Sequence, residues 1–147
     1  MRKYETVFIL DPDLQEKTRL EFLEKIKNII QKENGFLVDF DEWGNKKLAY
    51  EIKKKFRGYY VIICYGGTGE LVKELERNLR LNDSIIRFMT ILVSDEVTKD
   101  ELEKESQELQ KIKQEQSKEL KNEAEELDNK RTFEKSDKKN KKGENDV

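Results

Sequence analysis

No histidine occurs anywhere in this sequence. Its absence removes imidazole, the side chain best suited to bind zinc and the one that changes charge near neutral pH. Acid–base schemes and metal sites that rest on imidazole are therefore excluded. Cysteine is almost as scarce. Cys64 stands alone, so no disulfide forms within the chain, and no Cys–His or Cys–Cys pair exists. It lies inside an apolar run, where a buried, inert thiol is expected and a nucleophile is not. Long apolar stretches are also missing. No window approaches the roughly eighteen residues of a membrane span. The run from Val7 to Leu10 is closed by Asp11 and is too short for a signal peptide. A cytoplasmic chain with no membrane partner is the expectation.

Charge is what the sequence has in abundance. Asp, Glu, Lys and Arg make up 42% of the 147 residues, with 30 basic against 32 acidic. The balance conceals a change near position 94. Residues 1–94 carry 17 Lys/Arg and 15 Asp/Glu, whereas residues 95–147 carry 13 and 17. The second stretch is also poor in apolar side chains, and such composition offsets little of its ordering entropy. A folded domain over about 1–94 is expected, followed by a charged tail over 95–147 that is partly helical or disordered. Within the tail, 101–127 is rich in helix formers, with Leu102, Leu109, Ile112, Leu120 and Leu127 too irregular for a coiled coil. The end, KSDKKNKKGENDV, reads as disordered.

Six elements are legible in the first part. KYETVFIL (3–10) alternates as a strand, with Thr6, Phe8 and Leu10 opposite Glu5, Val7 and Ile9. Asp11-Pro12 turns the chain. Asp13 and Glu16 have capping-box spacing ahead of a helix whose Phe22, Leu23, Ile26, Ile29 and Ile30 share a face. Asn34-Gly35 ends that helix, with glycine taking the left-handed conformation. FLVDFDEWG (36–44) and KKLAYEI (46–52) form one extended element, with Gly44 as a bulge or bend. KKKFRG (53–58) connects to the strand YYVIICY (59–65). Gly66-Gly67-Thr68-Gly69 breaks that strand before a helix bearing Leu71, Val72, Leu75 and Leu79. Asn82-Asp83 then precedes a last strand, 84–93.

The order β-α-β-β-α-β defines an α+β, ferredoxin-like fold: a four-stranded antiparallel sheet, order 4-1-3-2, with two helices on one face. The other face is bare, yet the strands are apolar on both sides. Val7 and Ile9 oppose Phe8 and Leu10, while Tyr60 and Ile62 oppose Val61 and Ile63. Either this face meets a protein partner, or it is the ordinary apolar exposure of a small protein. From it, Tyr60 and Ile62 are assigned to a partner surface, an assignment that a one-residue slip in register would transfer to Tyr59.

Catalytic groupings are absent. The glycine-rich turn at 66–69 lacks the lysine and length of a phosphate loop. Asp39 and Asp41 share a strand face with nothing converging on them. No cofactor, metal or small-molecule substrate is expected. RGYYVIICY (57–65) approaches the third strand of RNA-recognition motifs, which stack bases on exposed rings. It departs from that consensus at Tyr60, Val61 and Cys64. Basic residues beside aromatics remain: Arg2, Lys3, Lys46, Lys47, Lys53, Lys54, Lys55, Arg57, Arg77, Arg80 and Arg87. Flexible cations next to rings suit phosphate neutralisation on folded RNA.

GNKKLAYEIK (44–53) resembles the signature of the bacterial ribosomal protein S6 family: Gly, any residue, two basic or polar positions, Leu-Ala-Tyr, any residue, Ile. MRKYET (1–6) is similar to the family's opening, and LNDSIIRFM (81–89) to its last strand. Glu51 departs from the proline common at that position. The resemblance covers residues 1–93 and implies a non-enzymatic constituent of the small ribosomal subunit. It further implies that 16S ribosomal RNA and ribosomal protein S18 are the partners. By position it makes Arg2, Lys3, Lys46, Lys47 and Arg87 candidate rRNA contacts, with Tyr50 either fixing the bent strand or touching RNA. Two rivals stay open: a free single-stranded RNA binder of the RNA-recognition-motif kind, and a protein–protein adaptor with no nucleic-acid role.

Overall fold

A computed structural model describes residues 1–143, with side chains through Ser136. The elements are β1 (Arg2–Leu10), α1 (Glu16–Lys32), β2 (Phe36–Ile52), β3 (Lys55–Gly67), α2 (Gly69–Leu81), β4 (Ile85–Ser94) and α3 (Lys99–Gly143). The strands form one antiparallel sheet in the order β2-β3-β1-β4. This is the ferredoxin-like arrangement expected from the sequence. Alternation in β1 sends Tyr4, Phe8 and Leu10 to one face, where they meet Phe22, Leu23, Ile26 and Ile30 of α1 and Leu71, Leu75 and Leu79 of α2. Val61, Ile63 and Tyr65 of β3 complete that core. Each fully buried leucine contributes about 1.5–3 kcal/mol over an exposed one, so the apolar stripe of α2 suffices to seat it. One polar chain runs through this core: the Thr6 hydroxyl lies 2.9 Å from both the Tyr65 and Thr90 hydroxyls.

Local signals behave differently from the sequence reading at four points. Asp13 and Glu16 make no capping box. Helix α1 starts after Gln15 with no side-chain cap, and the Asp13 carboxylate instead accepts from the Lys55 ammonium at 2.6 Å. At the other end of α1, Asn34 and not Gly35 takes the left-handed conformation (φ 59°). The Gly35 N–H donates to the Ile30 carbonyl and the Asn34 N–H to Gln31, a Schellman closure. Gly35 is needed for a different reason: a Cβ there would lie 2.5 Å from Leu71 Cδ2.

The connection after β2 is two residues, not six. Lys53 and Lys54 both have positive φ (49° and 63°), the backbone of a tight hairpin whose twist matches its strands. Finally, Gly66 and Gly67 belong to β3 and do not interrupt it. A side chain at Gly66 would overlap Leu102 and one at Gly67 would overlap Leu71.

Two compact units are present. The first, Met1–Gln107, reaches past position 94. The Val97 N–H donates to the Met1 carbonyl, Leu102 is 1% exposed against Gly66, and Lys3 pairs with Glu105 at 2.7 Å. The second unit begins at Glu108 and continues α3 to Gly143, with Ile112, Leu120, Leu127 and Phe133 exposed. Most of the end expected to be disordered, from Asp137 on, lies outside the residues whose side chains are described.

Candidate RNA and partner interface

The sheet face away from α1 and α2 is built in rows across β3, β1 and β4. Tyr60–Ile9–Arg87, Ile62–Val7–Met89 and Cys64–Glu5–Ile91 each align through paired register positions. The middle row is wholly apolar, with Met89 58% exposed. Tyr60 and Ile62 lie on this face, so the question of register resolves in favour of Tyr60. Tyr59 points to the helix side, where the Arg19 guanidinium lies 4.2 Å above its ring and its hydroxyl donates to Glu42. Neither tyrosine presents the exposed ring that an RNA-recognition motif uses for bases. Burial, then the nearby Glu42 carboxylate, raises the Tyr59 phenol above its ordinary value.

One end of the face is closed by the β2–β3 hairpin. A register shift between Glu42 and Gly44, with Gly44 at φ 81°, bends β2. Beyond it the hairpin curls over the sheet. Leu48 packs with Ile9 and Ile86, flanked by Ile52 and Tyr60, as a second small core. Gly58 makes room for this crossing, since a Cβ there would overlap Ile9 Cγ2 and touch Leu48. The curl carries the Lys53 ammonium to the Ile85 carbonyl (3.3 Å) and brings Tyr50 within hydrogen-bond contact of Arg87, which donates to its hydroxyl.

Tyr50 and Arg87 are thus joined, with Lys46 and Lys47 exposed on the same hairpin. Strand order alone puts Tyr50 and Arg87 on separate strands, β2 and β4; the curl is what joins them. Lys46 and Lys47 make no ion pair among the described residues. Arg2 and Lys3 sit elsewhere. Lys3 and Ile9 are six residues apart along β1, about 20 Å at the usual strand rise, and Arg87 pairs with Ile9. Lys3 is also engaged. Burial pulls its pKa down, but the Glu105 hydrogen bond and nearby negative groups outweigh this and leave it raised. Sequence reasoning missed Gly58 and Leu48 as the residues that seat the hairpin on the sheet. The sole signal for them was an isolated leucine among lysines and a strand glycine.

Cys64 is half-buried on the open face, and burial pushes its thiol up to about 11 despite the opposing charge of Lys3. Tyr65, buried beside Thr6, is pushed up to about 12. Both groups keep their protons in the folded state and lose them more readily when unfolded. Stability is therefore full below pH 9 and falls as pH rises through 9 to 12. The expected result is a decline in denaturation midpoint over that range that is shallower in Cys64→Ala. Equal slopes in both chains would contradict the assignment. Among the described residues, no cluster of Cys, Asp and Glu is placed to hold a metal, and no helix is long and apolar enough to cross a membrane.

Comparison with known proteins agrees with the fold and identifies its family. The family model described as "Ribosomal protein S6" matches residues 3–92. The small ribosomal subunit protein bS6 of Desulforapulum autotrophicum is 56% identical over 102 residues, 69% of this chain and 66% of that protein. That of Caldanaerobacter subterraneus is 43% identical over 95 residues, 65% of this chain and 100% of that one. The crystal structure of 30S ribosomal protein S6 from Thermotoga maritima superposes with a TM-score of 0.59 at 34% identity, over 74% of this chain and 97% of that one. The match spans about two thirds or less of the length of several relatives, from 66% down to 57%.

Proposed function

The chain belongs to the ribosomal protein S6 family, and on that premise we propose that it is a structural, non-enzymatic constituent of the small ribosomal subunit in the cytoplasm. It binds 16S ribosomal RNA together with ribosomal protein S18. The observation that carries this reading is the hairpin crossing: it joins Tyr50 to Arg87 beside an apolar sheet face, and Lys46 and Lys47 are exposed on the same hairpin. Clustered, exposed cations neutralise phosphate, whereas an apolar row desolvates best against protein.

RNA contact falls to Arg2, Lys46, Lys47 and Arg87, with Tyr50 holding Arg87 in place. Lys3 joins them only at the cost of its bond to Glu105. Tyr60, Ile62 and the row containing Val7 and Met89 meet S18. These roles lie in the domain of about 1–94, whose compact unit takes in the start of the charged tail as far as Gln107. The test is co-sedimentation of the full chain with small subunits reconstituted with and without S18. Retention that needs S18 and weakens with salt is expected; a chain left in the supernatant when S18 is present would overturn the reading.

A further inference from the structure

Trp43 is the single tryptophan of the chain, and it is 52% exposed. An exposed apolar ring by itself needs no explanation, but this one is oriented. Its Nε1–H donates to Asp41 Oδ2 at 3.0 Å, and the Lys46 ammonium lies 5.5 Å from the ring centroid. The residue occupies the bulge between Glu42 and Gly44, where the extra residue of a strand re-aims its side chain. Holding the indole at its edge and over its plane removes much of the freedom it would otherwise lose on binding. Among the described residues it is the one exposed aromatic with a cation over its ring.

We propose that Trp43 is a platform on which an unpaired RNA base stacks, with Lys46 and Lys47 neutralising the adjoining phosphates. A base offers a flat π-face that any ring of this size covers, and stacking tolerates any of the four bases. Charge favours RNA over an acidic or neutral peptide here. Two neighbouring carboxylates are engaged, Asp41 by the indole and Glu42 by the Tyr59 hydroxyl, while Lys46 and Lys47 make no ion pair among the described residues. Tyr50, the other exposed ring near these lysines with a fixed partner, is committed to Arg87. The proposal rests on the rRNA-binding reading and adds to it a base contact outside the residues named there.

The single tryptophan is its own probe. Full-length chain with S18 is titrated with a 16S rRNA fragment containing the binding site, and the Trp43→Phe chain serves as the fluorescence blank. Quenching of Trp43 emission in step with RNA binding is expected. Trp43→Ala should weaken RNA binding on the order of tenfold, as loss of one stacked base does. Trp43→Phe should retain most of the affinity, with melting temperatures unchanged in both. RNA binding with unaltered emission and a wild-type-like Trp43→Ala chain would overturn the stacking proposal while leaving the rRNA reading intact. Emission that responds to S18 alone, with Trp43→Ala weakening only S18 binding, would make the ring a protein contact and equally overturn it. Failure of every chain to bind RNA would instead remove the rRNA reading on which the proposal stands.

Discussion

Reversing both hairpin lysines, Lys46→Glu with Lys47→Glu, is expected to weaken rRNA binding on the order of a hundredfold at physiological salt. Each lysine that neutralises a phosphate releases counterions, so its loss lowers affinity for all RNA sequences alike. It also lowers the slope of log affinity against log salt by about one. Two reversals should therefore flatten that slope by about two and add direct repulsion. The fold should not register the change. Both side chains are exposed and neither makes an ion pair among the described residues, and isolated surface charges alter stability by less than about 0.5 kcal/mol. Salt-dependent affinity measured beside thermal melting separates the two effects. An unchanged slope with intact melting would place the RNA contact elsewhere. Lys54→Glu, at the hairpin tip, serves as the comparator for charge without position.

Why the sequence reveals these lysines but not their setting follows from the range of the interactions. The period-two alternation in β1 and the helical stripes of α1 and α2 are local, so strand order and core face are legible residue by residue. The bulge at Gly44 is legible as well, because a glycine inside an alternating run has few other uses. Lys53 and Lys54 gave no turn signal, since glycine or asparagine normally fills left-handed positions. The tertiary closure of the hairpin over the sheet overrode that preference. Gly66 and Gly67 look like a break for the opposite reason. Their lack of side chains serves packing by Leu102 and Leu71, which lie 36 and 4 positions away. Burial of Leu102 was hidden too, because one apolar residue among charges has no period. The site shares this pattern. Lys46, Lys47 and Arg87 come from motif resemblance, whereas the contact of Arg87 with Tyr50 depends on a crossing that no local pattern encodes.

That crossing depends on one missing side chain. Gly58→Val is expected to destabilise the domain by about 3 kcal/mol, lowering the melting temperature by roughly 10–20 °C. A Cβ at Gly58 overlaps Ile9 Cγ2 and reaches Leu48 Cδ2 at 3.4 Å. Valine would force Leu48 off Ile9 and Ile86 and expose the second core. Leu48 would lose up to a leucine's worth of burial, about 1.5–3 kcal/mol, on top of the overpacking strain. The functional consequence follows from the same geometry: with the curl undone, Tyr50 leaves Arg87. Ile9→Ala supplies the control, since it removes the methyl that the new side chain meets. Alone it should cost about 2–5 kcal/mol as a buried truncation. Combined with Gly58→Val, it should cost at least about 1 kcal/mol less than the sum of the two, the coupling expected of residues sharing one space. Strict additivity, or a Gly58→Val chain within about 0.5 kcal/mol of the parent, would show that the hairpin does not need this gap to lie across the sheet.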